Sequence, residues 1–182
     1  MTRGPRRRAE RIVAWAVVLL GLLAVLALLA VGANGPADPH LAGLGAFGEV
    51  AFGVTPAPGS GLPATTEFCA LLANDDASRA RGLMGRSDLG GYDAMIFRFP
   101  GDTTATFYMR NVPVPLSIAW FDAGGRFVAS ADMSPCGDRG DCPTYGPGRP
   151  YRLAVEVPAG ALPTLGIGER AVLALGGDCT PR

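Results

Sequence analysis

Between Ile12 and Ala33 the chain reads IVAWAVVLLGLLAVLALLAVGA without a single charged residue, and no other feature restricts its folding as much. About 20 apolar residues span a bilayer core as a helix. Arg3, Arg6, Arg7, Arg8 and Arg11 precede the run, and no further arginine or lysine follows until Arg79. The positive-inside bias then keeps residues 1–11 as a basic cytoplasmic tail, makes 12–33 a transmembrane helix, and exports the rest. A cleaved signal peptide is the competing reading, since the basic start and the small residues of "AVGA" suit a cleavage site. Signal h-regions run about 7 to 15 residues, shorter than this one, which favours the retained single-pass anchor over secretion after cleavage. Either way the remainder lies outside the cytoplasm, and the first partner expected is the membrane itself.

Residues 34–63 are dense in Gly, Pro and Ala and read as a linker. Leu41, Leu44, Phe47, Val50 and Phe52 are apolar for a free tether, so a second reading packs part of it on the domain or on the membrane surface. From residue 64 to 182 the pattern is that of a mainly β domain. "TEFCALLA" (66–73) suits a buried strand, and Asn74, Asp75 and Asp76 offer N-caps for a short helix over 77–84. Gly82 is expected to end that helix and turn Leu83 and Met84 inward. "AMIFRF" (94–99) and "TATFYMRNV" (104–112) are β-branched and aromatic, with alternating polarity. Leu116 to Met133 reads as a hairpin turned at Asp122-Ala123-Gly124-Gly125. "YRLAVEV" (151–157), a short helix at "AGALPTLG" and "RAVLALG" (170–176) complete the order. Regular β-α alternation is absent. The expected fold is a small barrel-like mixed sheet, α+β by class, with one or two short helices.

The succession "ARGLMGR", "AMIFRFP", "TFYMRNVPVPLSIAWFDAGGRFV", "SPCGDRGDCPTY", "YRLAVEVPAG" and "LGIGERA" resembles the domain-of-unknown-function 192 family of bacteria and archaea. The resemblance spans residues 66 to 176. It implies a small, mostly β, barrel-like fold that is often exported, and it brings neither an established activity nor a cofactor. Three positions depart from the family pattern: Tyr108 replaces a usual tryptophan, Arg110 a usual lysine, and Ser117 an expected aspartate.

In an oxidising compartment four cysteines suggest two disulfides. Position alone points to Cys136–Cys142 and Cys69–Cys179 among three connectivities. Zinc is disfavoured because the spacings are wide and the one histidine, His40, lies in the linker. A thioredoxin-like role wants C-x-x-C, which is missing. The tripeptide Arg139-Gly140-Asp141 inside the shorter loop is explained as a polar turn without invoking adhesion, so the loop reads as a rigidifying staple.

Residues 64 to 182 hold no histidine or lysine, which removes the usual base of serine and cysteine hydrolases and all Schiff-base chemistry. Phosphate-loop and dinucleotide motifs are missing. A formally neutral chain lacks the basic surface of a nucleic-acid binder. Met84, Met95, Met109 and Met133 are scattered and read as core filler rather than a copper(I) site, so no metal or cofactor is expected. Carboxylate chemistry survives: Asp88, Asp93, Asp102, Asp122, Asp132, Asp138, Asp141 and Glu156 are candidates for a pair of the glycosidase kind. Polar residues that resist a purely structural reading are Arg81, Arg86, Arg110 and Asn111, with Tyr108, Trp120 and Tyr145 as aromatic companions. Arg110-Asn111 precedes two X-Pro bonds where the chain must turn. These groups suit a site for a small anion or a glycan, the plainer alternative being turn satisfaction and surface pairing. The leading functional reading is therefore a membrane-anchored extracytoplasmic module that binds a small ligand, glycan or envelope protein without catalysis. A carboxylate-dependent hydrolase or lyase of cell-wall or extracellular polysaccharide is the alternative.

Overall fold

A computed structural model describes residues 46–63 and 66–181. The apolar run and the start of the linker lie outside these, and among the described residues no helix is long and apolar enough to cross a membrane. Seven strands form one curled sheet in the order β6-β5-β8-β3-β2-β1-β9: β1 (Gly48–Thr55), β2 (Thr66–Ala73), β3 (Ala94–Thr103), β5 (Leu116–Phe121), β6 (Phe127–Met133), β8 (Tyr151–Pro158) and β9 (Val172–Leu175). Two short strands, β4 (Phe107–Tyr108) and β7 (Thr144–Tyr145), pair separately. The pairing of β2 with β3 is parallel and every other ladder is antiparallel. The crossover that a parallel pair requires carries α1 (Asp76–Arg81), capped by Asp75, whose Oδ1 accepts the Ser78 N–H at 2.9 Å.

One correction concerns the linker. Residues 48–55 within the expected tether form β1, an interior strand hydrogen-bonded to β2 and β9. Val50, Phe52 and Val54 alternate into the core, and Phe47 is buried with the residues of the opposite sheet face. The period of two in V-x-F-x-V outweighs the glycine content around it. A second difference concerns 104–112. Only Phe107 and Tyr108 are a strand, while Arg110 and Val112 make isolated bridges to Cys136. Phe107 and Met109 point down onto the large sheet, and Asn111 adopts a left-handed φ of 57°, so this segment covers a sheet face instead of joining an edge. The helix expected at "AGALPTLG" is a 3-10 turn, Leu162–Leu165.

The central strands bury both faces, and each of the six residues of β5 is buried. The hollow side of the sheet encloses Phe52, Val54, Ile96, Phe121, Val155 and Leu173. On the other face Met95, Phe97, Ile118, Trp120 and Tyr151 form a second layer, covered by α1 and the β4–β7 pair. The two outer edges meet at Gly125 and β9: the Leu173 N–H donates to Gly125 O at 2.7 Å and the Phe127 N–H to Ala171 O at 3.0 Å. Gly125 has φ +73°, and a Cβ there would stand 2.0 Å from the Leu173 carbonyl oxygen. Gly125→Ala should therefore cost roughly 2–3 kcal/mol through left-handed strain and a displaced edge, read as a lowered denaturant midpoint. A neutral result would mean that this closure contributes nothing to stability.

Candidate functional site

The eight candidate carboxylates separate by their partners. Asp88 engages Arg86 at 3.3 Å, Asp102 engages Arg152 at 2.9 Å, Asp138 engages Arg110 at 2.6 Å, and Asp141 engages Arg139 at 3.4 Å. Asp93 accepts the Cys69 N–H at 2.9 Å. Asp122 accepts the N–H groups of Gly124 and Arg126 inside the hairpin turn, both at 2.8 Å. Asp132 lies 2.5 Å from the Ser117 hydroxyl, which also accepts the Gly160 N–H at 2.9 Å. The carboxylate that family resemblance expects at position 117 is thus matched by one reaching across from the neighbouring strand. Each of these seven explains itself as a pin for backbone or for an arginine.

Glu156 does not. It sits in the middle of β8, in register with Met95 of β3 and Ile118 of β5, both fully buried. Strand alternation aims its side chain at the layer beneath α1. It is 5% exposed and has no hydrogen-bond or ion-pair partner among the described residues. Burial pushes its carboxyl up to about 8, so at neutral pH it is largely the protonated acid.

The carboxyl lines a cavity of about 300 Å³ between α1 and the sheet. Phe97 and Phe99 of β3 and Phe107 of β4 supply aromatic walls, with Leu83, Met84 and Val112 adding apolar surface. Phe97 and Phe107 meet edge to face at 5.0 Å, and Phe107 continues to Trp120 at 6.3 Å. The Trp120 indole N–H, in this same aromatic layer, is a buried donor with no partner among the described residues. Gly82 makes the mouth: it caps α1 through its N–H to Ser78 O at 3.0 Å and turns the chain so that Leu83 is buried.

Two cations border the opening. Arg79 is committed: it donates to Arg98 O at 2.8 Å, pairs with Asp76, and lies 5.2 Å over the Phe99 ring. Arg81 is exposed, with its guanidinium 6.0 Å over the Phe47 ring and no ion-pair partner among the described residues. Tyr108 borders the same opening and is 46% exposed.

Of the residues singled out from sequence, Arg81 and Tyr108 therefore share one cavity. Arg110 and Asn111 share a different place: Arg110 donates through Nε and Nη2 to Asp138 Oδ1 at 2.8 and 2.6 Å, and Asn111 Nδ2 reaches the same oxygen at 3.4 Å. The Arg110 hydrogen bonds hold the Asp138 carboxyl below its ordinary range. Asn111 also serves turn backbone, giving its N–H to Cys136 O at 2.9 Å and accepting the Gly85 N–H at 2.7 Å. Arg86 borders a separate apolar groove with Leu89, Val114 and Pro115. Trp120 is fully buried, and Tyr145 accepts the Ser134 N–H at 3.2 Å. Arg79, Phe97, Phe99 and Phe107 escaped sequence reasoning.

The four cysteines form the pairs Cys69–Cys179 and Cys136–Cys142, which fit an extracytoplasmic domain and leave no thiolate for a metal. The described residues contain no cluster of three His, Cys, Asp or Glu that could hold an ion. Met95, Met109 and Met133 are core residues.

A family model matches residues 62–174: the DUF192 family, described as uncharacterized ACR. Nothing among curated proteins matches the chain. Solved structures share its fold, two of them as follows. One, a proposed transcription regulator from Sinorhizobium meliloti 1021, has 20% identity and a TM-score of 0.59, over 71% of this chain and 95% of that one. The other, a protein of unknown function from Novosphingobium aromaticivorans DSM 12444, has 27% identity and a TM-score of 0.59, over 78% of this chain and 99% of that one.

Proposed function

Starting from a chain that belongs to the DUF192 family, we propose a non-catalytic binding module whose ligand occupies the cavity over Glu156. The observation that carries this reading is a glutamate, 5% exposed as a residue, whose carboxyl has no partner among the described residues and lines an aromatic-walled cavity. An unpaired buried carboxyl is costly, and nothing in the packing of β8 demands one between Met95 and Ile118. A ligand that hydrogen-bonds to it supplies the missing partner. Binding fits better than hydrolysis by a carboxylate pair, because Glu156 is the one carboxyl among the residues lining this cavity. The site differs from the arginine and asparagine grouping expected from sequence, of which it retains Arg81 and Tyr108. The apolar run at 12–33 and the two disulfides support placing the module outside the cytoplasm on a single membrane anchor.

Titration calorimetry of the full chain with N-acetylglucosamine, benzoate and glycine betaine tests the reading. At least one class should bind, and Glu156→Gln should weaken that binding severalfold to about tenfold, as expected when a hydrogen bond in a buried site is removed. Binding of none of the three, or binding indifferent to Glu156→Gln, removes the cavity as a site.

A further inference from the structure

Resting on that reading, we infer that the cavity is built for a small zwitterion, with a methylated ammonium group seated against Glu156 and the aromatic rings and an anionic group at Arg81. Groups of opposite charge line the same cavity, Glu156 from β8 and Arg81 from α1. Glu156 is the one carboxyl in the lining, which it shares with Phe97, Phe99 and Phe107. Carboxylate and ring faces together are the surroundings that favour a quaternary ammonium, because ring quadrupoles attract a cation whose methyl groups also bury apolar surface. Arg81 also lines the cavity, with no ion pair among the described residues and its guanidinium 6.0 Å over the Phe47 ring, and a guanidinium so placed is suited to a carboxylate or phosphate.

An anion alone would leave the Glu156 carboxyl facing apolar atoms. A bare cation would leave Arg81, which lines the cavity without an ion pair among the described residues, unsatisfied and repelling it. A sugar would demand several polar contacts, whereas aromatic and aliphatic side chains dominate these walls. A zwitterion satisfies the carboxyl and the guanidinium at once. The size agrees, since a cavity of about 300 Å³ stands at the small end of the usual range for ligand pockets, about 300 to 1,000 Å³, as a betaine-like molecule requires.

The charged and titratable groups that line the cavity with Glu156 are Arg79 and Arg81 from α1 and Tyr108 from β4, none of which contributes to its raised titration, whose cause is burial; its strand neighbours Met95 and Ile118 carry no charge. Binding an ammonium requires ionised Glu156 and so expels its proton. With the free carboxyl titrating at about 8, apparent affinity for such a ligand rises about 50-fold from pH 6 to pH 8 and then levels off.

Glycine betaine, choline and 3,3-dimethylbutanoate, the last being betaine with carbon in place of nitrogen, separate the possibilities when titrated against the full chain between pH 6 and pH 9. Betaine is expected to bind at least tenfold tighter than 3,3-dimethylbutanoate, with affinity rising with pH. Arg81→Gln should weaken betaine severalfold while leaving choline unchanged or tighter, and Glu156→Gln should abolish the pH dependence. Equal or tighter binding of 3,3-dimethylbutanoate, or affinity that falls above pH 8, would overturn the inference while leaving the cavity a binding site for acids that use protonated Glu156. Failure of betaine and choline while N-acetylglucosamine or benzoate binds in a Glu156-dependent way overturns it too. Failure of every probe overturns both the inference and the reading beneath it.

Discussion

Glu156→Gln is expected to stabilise the protein at pH 8 by about 4 kcal/mol relative to its effect at pH 4.5. The carboxyl has an ordinary value of 4.5 and rises to about 8 when folded, because burial disfavours its charged form. Below 4.5 both states hold the proton, and the carboxyl behaves as a neutral group comparable with the amide. Between 4.5 and 8 the unfolded chain has released its proton and the native chain keeps it. Stability therefore falls as pH rises across this window and becomes flat above it. The glutamine variant has no such slope. In thermal unfolding at a series of pH values the two proteins should diverge steadily from pH 5 to pH 8, reaching a gap on the order of 10 °C in Tm at the alkaline end. Parallel curves would mean that Glu156 ionises freely in the native state, with water reaching it through the cavity. A protein that gives up this much stability at neutral pH gains a carboxyl held ready for a ligand, and the same substitution that stabilises the fold should weaken binding.

How far the sequence led is best judged strand by strand. The hairpin from Leu116 to Met133 was legible because its signals are local: alternating apolar residues, then an aspartate and two glycines. Asp122 does cap that turn through the Gly124 and Arg126 N–H groups. The strand at 48–55 was obscured because glycines on either side dilute its three inward residues. Its identity depends on β2 and β9, which arrive from elsewhere in the chain. In the segment 104–112 the aromatic content was read correctly and its role was not, since a strand that pairs at an edge and a cover that packs on a face present the same residue types.

The site follows the same division. Arg110 and Asn111 were visible as a polar pair after an aromatic run, but their shared acceptor, Asp138, lies 28 and 27 positions away in the disulfide loop. Glu156 carried a signal of its own, an acid between two valines in a strand of apolar residues. Its burial was readable there. Its lack of a partner was not, because that depends on which side chains α1 and β4 bring over the sheet.

Replacing Cys69 and Cys179 together by alanine is expected to cost about 5 kcal/mol, the largest loss of any change considered. The bond joins residues 110 positions apart, and restricting a loop of that size removes much of the unfolded chain's entropy. Its place in the fold adds to the effect. Cys69 lies in β2, in register with Ala51 of β1, and Cys179 lies just beyond β9, which holds to the sheet along four residues of β1. The Ala51 N–H donates to Gly177 O and the Gly176 N–H to Ala51 O, both at 2.7 Å. The disulfide thus pins the tail beside the strand whose pairing completes the curl at Gly125. Breaking Cys136–Cys142, whose residues are 6 apart, should cost only about 2 kcal/mol by the same argument and should loosen the Arg110–Asp138 loop while sparing the sheet. Denaturant unfolding of the two double variants distinguishes these roles: equal losses would show that loop size is irrelevant here, whereas the expected inequality would identify Cys69–Cys179 as the bond that keeps the curled sheet closed. An unfolded Cys69/Cys179 variant would itself meet the expectation for a domain of ordinary stability, and refolding it in an osmolyte series would recover the magnitude.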